Sequence, residues 1–273
     1  MHVLGILGAG DRLEGVLGRI TDRLSVEGRV GVVRYDATIA DGTPELREPN
    51  VTPGGDVTYE LGADGDWTAT GTDRSVGDIL DELAVDCAYA VVVGVDSLSY
   101  PTVAVGDTEP TDTTIATVDR PDELDVDALL EELHASEPHE TLGSLVDRVK
   151  ASPDADRAGA IATFTGRVRA KDDPDDERTE FLEFEKYEGV AEQRLRTIRE
   201  ELEAREGVFE VELFHRTGVV TDGEDIVFVV VLAGHREEAF RTVEDGINRL
   251  KDEVPLFKKE VTVDDEFWVH ERQ

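Results

Sequence analysis

The chain has 273 residues, 39% of them hydrophobic, enough for one large or two ordinary domains with packed cores. Asp and Glu outnumber Lys and Arg by 63 to 28, a formal net charge of -35 that argues against binding along a nucleic-acid backbone and fits a halophilic, high-salt cytoplasm where screening removes much of the self-repulsion. The single cysteine, Cys87, rules out an internal disulfide and argues against a cysteine-built metal site.

At the start, Met1-His2-Val3-Leu4 lacks the basic stretch of a signal peptide, and no run reaches the length of a membrane span. A cytoplasmic protein with no membrane partner is expected. Residues 2–7 form a short apolar run ending at Gly8, as a buried strand would. Leu13, Val16, Leu17, Ile20 and Leu24 recur at helical spacing, and 31–35 reads as a second strand, so a βαβ unit opens the chain. Its first turn, Gly8 to Gly15, stands where a phosphate-binding P-loop would stand. That chemistry needs a lysine for the phosphates and a Ser/Thr for magnesium. Gly10 and Gly15 have the spacing, but Val16 and Leu17 follow them; starting instead from Gly8 puts Glu14 at the lysine position, where a carboxylate repels a triphosphate. Nucleotide hydrolysis by this loop is not expected.

Residues 58–61 and 67–70 alternate around Ala63-Asp64-Gly65, a hairpin pattern. A helix follows over 76–83, and the apolar run 88–95 reads as the central strand of this half, with a further strand after Ser97. This order of elements, the run into Gly94 and Pro101-Thr-Val-Ala-Val-Gly106 resemble MobB, the adaptor family of molybdenum-cofactor guanylylation. The resemblance implies a P-loop-type α/β fold with an acidic residue ending the central strand; Val93 stands there instead. Both nucleotide determinants are absent, which makes 1–120 a degenerate relative, expected to serve as a docking or dimerisation module. From Asp107 to Asp127 the chain is rich in Thr and Asp, a linker or a loosely packed edge, and 126–133 has the pattern of a short amphipathic helix. Residues 121–140 are expected to form an acidic linker carrying that helix.

In the second half, Leu142, Leu145, Val146 and Val149 mark a helix. Residues 158–169 read as a strand of small residues that another backbone approaches closely, with Arg167 and Arg169 on one face. Strands are expected over 181–187, 208–216 and 225–233, and Val190, Ala191, Arg194, Leu195, Ile198 and Leu202 define a helix up to Gly207 between the first two. His235 and Arg236 stand where a buried strand feeds a helix N-terminus, a natural anion site. That helix, over 237–251 with Phe240, Val243, Ile247 and Leu250 inward, stops before Pro255, and 256–263 is a strand.

Lysine is scarce: the six are Lys150, Lys171, Lys186, Lys251, Lys258 and Lys259. Three of them crowd into 249–260, in a chain that otherwise uses arginine. An ammonium can give up its proton and act as a nucleophile, whereas a guanidinium cannot. Lys251 ends the helix and Lys258 begins the next strand, so a short reversal is expected to bring both amines to one place. Lys251 in a last helical turn also offsets the negative helix end, which is the bland alternative.

Residues 142–271 resemble MoaE, the large catalytic subunit of molybdopterin synthase. The matching motifs are Thr163-Phe-Thr-Gly-Arg-Val-Arg169, Leu182-Glu-Phe-Glu-Lys-Tyr187, Phe214-His-Arg-Thr-Gly218, Gly234-His-Arg236 and Lys251-Asp-Glu-Val-Pro-Leu-Phe-Lys-Lys-Glu260, in family order. The resemblance implies an α+β (α/β-hammerhead) domain over 141–273 and an overall α/β protein. It implies sulfur transfer from the thiocarboxylated C-terminal glycine of a small ubiquitin-like carrier (MoaD-like) to cyclic pyranopterin monophosphate. It maps the catalytic lysines onto Lys251 and Lys258 and the substrate-binding residues onto Arg169, His235 and Arg236. His215-Arg216 is either structural or catalytic. A homodimer is expected, and no cofactor or metal is called for. A non-enzymatic adaptor or scaffold of the same pathway is the alternative. Phe257 stands where the family often has Trp before the lysine, so the carrier-tail channel is expected to differ in shape.

Overall fold

The computed structural model describes residues 1–35, 57–171, 173–187, 189–262 and 266–269. The chain divides into two compact units, Met1–Thr141 and Leu142–Gln273. In chain order the first contains β1 (His2–Leu7), α1 (Gly10–Leu24), β2 (Val30–Arg34), the hairpin β3 (Val57–Leu61) and β4 (Trp67–Gly71), α2 (Val76–Asp86), β5 (Tyr89–Val93), β6 (Thr102–Val105), β7 (Thr114–Val118) and α3 (Val126–Ala135). Five strands form a parallel sheet in the order β2-β5-β1-β6-β7. A parallel sheet needs cover on both faces, and alternation along β5 supplies it. Tyr89, Val91 and Val93 pack with α1 and α3, while Ala90 and Val92 pack with α2.

Two of the glycines that suggest a phosphate loop, Gly8 and Gly15, have packing reasons instead, and Gly10 has a conformational one, a φ of +67°. Only Gly8 and Ala9 separate β1 from α1. A Cβ at Gly8 would stand 2.9 Å from the Val105 Cβ, and one at Gly15 would stand 2.6 Å from the Pro121 Cγ. Glu14 grips Arg34 through both carboxylate oxygens at 2.7 Å.

The segment 121–140 is not a linker. Leu129, Leu130 and Leu133 of α3 are buried in the sheet core, so the helix belongs to the first unit. Beyond it, the His139 N–H donates to the Met1 carbonyl at 2.8 Å, and its ring lies between Asp81 and Tyr100. Of the two readings of the polar stretch after Asp107, the edge is the one found: β7 is the outer strand beside β6.

The second unit contains α4 (Leu142–Lys150), β8 (Ala160–Arg167), β9 (Thr179–Lys186), α5 (Val190–Glu203), β10 (Val208–His215), β11 (Gly218–Thr221), β12 (Asp225–Ala233), α6 (Arg236–Glu253), β13 (Leu256–Thr262) and β14 (Glu266–Val269). Two antiparallel sheets result, β10-β12-β8 and β11-β9-β13-β14. β12 is the spine. Val227, Val229, Val231 and Ala233 face α5 and α6, while Phe228, Val230 and Leu232 face α4. On α6 the inward stripe is Ala239, Val243, Ile247 and Leu250. Phe240, expected to point inward, is 67% exposed because the stripe starts one residue earlier. The helix ends at Glu253, and Val254, held extended before Pro255, turns the chain into β13.

Candidate active site

That turn sets the site. α6 delivers Lys251 in its last turn, and after Pro255 β13 returns with Lys258. Both line a single cleft of about 1220 Å³, with Arg167 and Arg169 from the end of β8 and just beyond it. β13 pairs antiparallel with β9, placing Lys258 opposite Phe184 and Phe257 opposite Glu185. Leu182, Phe184, Ile226, Val227 and Leu250 give the cleft an apolar floor.

Charge in the cleft runs against that of the whole chain. Arg167, Arg169, Lys251 and Lys258 meet Glu185, Asp252 and Glu260, so the lining is net cationic in a protein of charge -35. An anion repelled elsewhere on this surface has a local reason to enter here. Several of these groups are tied in place. Arg167 Nε donates to the Gly223 carbonyl at 3.0 Å and pairs with Asp225 at 3.2 Å. Lys258 Nζ lies 3.6 Å from Glu260 Oε2, and the Thr179 hydroxyl donates to Glu260 Oε1 at 2.6 Å. The end of α6 is clamped as well. Arg249 Nε donates to Glu253 Oε1 at 2.7 Å, the same guanidinium reaches Glu201 on α5, and Arg194 of α5 meets Glu253 at 2.7 Å. The Arg249 guanidinium holds the Glu253 carboxyl below the usual carboxylate range.

His215 also lines the cleft, its ring edge-on to Phe184 at 4.8 Å between centroids. Nδ1 lies 2.7 Å from the Arg216 carbonyl. A carbonyl only accepts, so Nδ1 carries the proton. Arg216 is a structural tie: its Nη1 donates to the Asp225 carbonyl at 3.1 Å and lies 3.6 Å from Glu224.

His235 and Arg236 are not in this cleft, which corrects their sequence-based placement beside the lysines. They stand at the start of α6, and Lys251 lies in its last turn. Fifteen helical residues span roughly 22 Å at 1.5 Å each. His235 instead borders a separate polar pocket with Arg157, Glu206, Glu238 and Arg241. The cleft also holds Glu260, which sequence reasoning misses, and His215, which it leaves between a structural and a catalytic role. Glu260 was nonetheless legible, because residues two apart on a strand share a face and it lies two beyond Lys258. Among the described residues no group of three or more His, Cys, Asp or Glu is arranged to hold a metal ion, and no helix is long and apolar enough to cross a membrane.

Fold and cleft together define a mixed α/β protein with a net cationic cleft lined by two lysines. A model of the MoaE protein family matches residues 136–253. The chain is 52% identical over 274 residues to a probable molybdopterin synthase of Haloferax volcanii, covering 100% of both chains. It is 40% identical over 112 residues to the molybdopterin synthase catalytic subunit of Bacillus subtilis, covering 41% of this chain and 70% of that relative. The N-terminal half is similar to the crystal structure of a MobB protein homologue from Bacillus stearothermophilus, with 15% identity and a TM-score of 0.37 over 50% of this chain and 100% of that one. The chain belongs to the MoaE family and is a molybdopterin synthase catalytic subunit, an enzyme of molybdenum-cofactor biosynthesis.

Proposed function

We propose that this cleft transfers sulfur from the thiocarboxylated C-terminal glycine of a small ubiquitin-like carrier to cyclic pyranopterin monophosphate, twice, to make the dithiolene of molybdopterin. The observation that carries this reading is that Lys251 and Lys258, from two elements joined by a proline turn, line one cationic cleft with Arg169. Lys251 is the primary catalytic residue: its ammonium can polarise the thiocarboxylate carbonyl and offset charge that develops there. Lys258 meets the carrier's tail, and Arg169 gives the substrate phosphate a counter-charge. The setting is a cytoplasm of high salt.

His235 and Arg236 need a second copy. One α6 cannot bring both of its ends to one substrate, so in a homodimer the His-Arg step of one subunit would complete the cleft of the other. The test mixes purified protein, thiocarboxylated carrier and the pyranopterin and assays molybdopterin. Lys251→Ala should abolish product with the circular dichroism unchanged, and Arg236→Ala should chiefly raise KM for the pyranopterin. Mixing the two inactive or weakened proteins should restore activity through hybrid dimers. Full turnover by Lys251→Ala sinks the mechanism, and no recovery on mixing sinks the shared site.

A further inference from the structure

Resting on the assignment of Lys258 to the carrier's tail, we propose that Thr179 is a positioning residue for that lysine and acts through Glu260. Thr179 opens β9, is 5% exposed and lines the cleft. Its hydroxyl donates to Glu260 Oε1 at 2.6 Å, and Oε2 of the same carboxylate lies 3.6 Å from Lys258 Nζ. The three side chains form a relay from a buried hydroxyl to the ammonium in the cleft.

The backbone shows how Thr179 comes to be there. In regular pairing Thr262 would face Glu180, and the side chains of Glu180, Leu182 and Phe184 would share a face with Lys258 and Glu260. The register slips between Val261 and Thr262, so that Thr262 faces Thr179 instead. An irregularity of this kind re-aims a side chain. Here it brings an odd-numbered residue onto the cleft face, and accordingly Thr179 is buried while Glu180 is exposed.

The last torsion of a glutamate is broad and soft, so its carboxylate has little preferred orientation of its own. A hydrogen bond from a hydroxyl to an ionised oxygen is of the short, strong class. Holding Oε1, Thr179 leaves Oε2 turned toward Lys258. Without that hold, an ion pair as open as Lys258–Glu260 has little to keep it in one geometry. Thr179 thus sets where the Lys258 ammonium stands when a carrier tail enters.

The test compares Thr179→Val, Thr179→Ser and Glu260→Gln in the full chain, with melting temperatures measured alongside; Thr179→Ala replaces the valine variant should that unfold. With thiocarboxylated carrier and pyranopterin, Thr179→Val should lower kcat by about three- to tenfold and leave KM for the pyranopterin unchanged. Thr179→Ser should recover turnover to within about twofold. In the Glu260→Gln background, Thr179→Val should add nothing further. A second readout needs no activity: labelling by an amine-reactive reagent, resolved by residue, should rise at Lys258 and stay unchanged at Lys251. Normal turnover by Thr179→Val, a serine variant as slow as the valine one, or multiplying effects in the double variant would overturn the proposal. If the wild-type protein makes no product, the sulfur-transfer reading falls, and the labelling contrast still decides the role of Thr179.

Discussion

Gly159 and Gly234 pass backbone against backbone: a Cβ at 159 would stand 2.6 Å from the Gly234 carbonyl oxygen. The Gly159 N–H donates to the Ala233 carbonyl at 3.1 Å, so the contact closes the end of β12 where α6 departs. Backbone gives way less readily than a flexible side chain. Gly159→Ala should therefore cost about 1–3 kcal/mol, read as a lower denaturant midpoint at constant m-value. An unchanged midpoint would mean that the two strand ends move apart freely.

Arg249 ties the other end of α6. It holds Glu253 on its own helix and Glu201 on α5, with Arg194 completing the network. Lys251 lies between the two clamped residues. Arg249→Ala should cost under about 1 kcal/mol, since such pairs are part-exposed. Its larger effect should be local. Amide exchange over residues 250–254 should speed up while the sheet amides keep their protection. Uniform loss of protection would show that the network serves the whole unit and not the helix end.

The lysines and the His-Arg step show what the sequence could and could not reveal. Crowding of scarce lysines around a proline turn points to Lys251 and Lys258, and both line one cleft; their catalytic roles are implied by the family resemblance and not by spacing. His235 and Arg236 fit an anion site locally, yet their fifteen-residue distance from Lys251 on one helix already forbade a shared cleft in one chain. Whether a second copy supplies them is not written in spacing. Phe240 shows a different limit: a helical stripe one residue out of phase still looks amphipathic. The short strands β11 and β14, four residues each, gave too little pattern to be seen. The register slip that turns Thr179 into the cleft is a property of pairing, invisible along a single strand.

Glu212 is buried between Arg148 at 3.3 Å and Arg199 at 3.7 Å. Burial pushes its carboxyl above the usual carboxylate range, and the two arginines pull the other way without cancelling the rise. A carboxyl with a higher pKa folded than unfolded binds its proton more tightly in the native state. Above the raised pKa the cost of burying the charge stands in full. As pH falls from there toward the ordinary value, protonation relieves it and the native state gains. Glu212→Gln has no such relief. The stability of wild type relative to this variant should rise as pH falls through that window and stay flat above it, measured by melting temperature. Arg148→Ala at neutral pH should cost about 1–3 kcal/mol by weakening the carboxylate's compensation. Parallel pH curves for wild type and Glu212→Gln would show that Glu212 titrates normally.

The first unit should ignore nucleotides. Phosphates are held at a helix N-terminus by a loop of free N–H groups and a lysine. Here two residues join β1 to α1, a Cβ-sized space beside Gly8 is taken by Val105, and Glu14 is spent on Arg34. The Arg34 guanidinium holds the Glu14 carboxyl below its ordinary range, so it stays charged at neutral pH and repels an approaching phosphate. Magnesium with GTP or ATP at about a hundred times a binding constant would stabilise a binding protein by about 2.7 kcal/mol. Millimolar nucleotide should leave the melting temperature of the full chain where magnesium alone leaves it. Glu14→Lys should not create binding either, because the connection has no loop to wrap a phosphate. A saturable rise in melting temperature with either nucleotide would return this unit to the nucleotide-dependent adaptors.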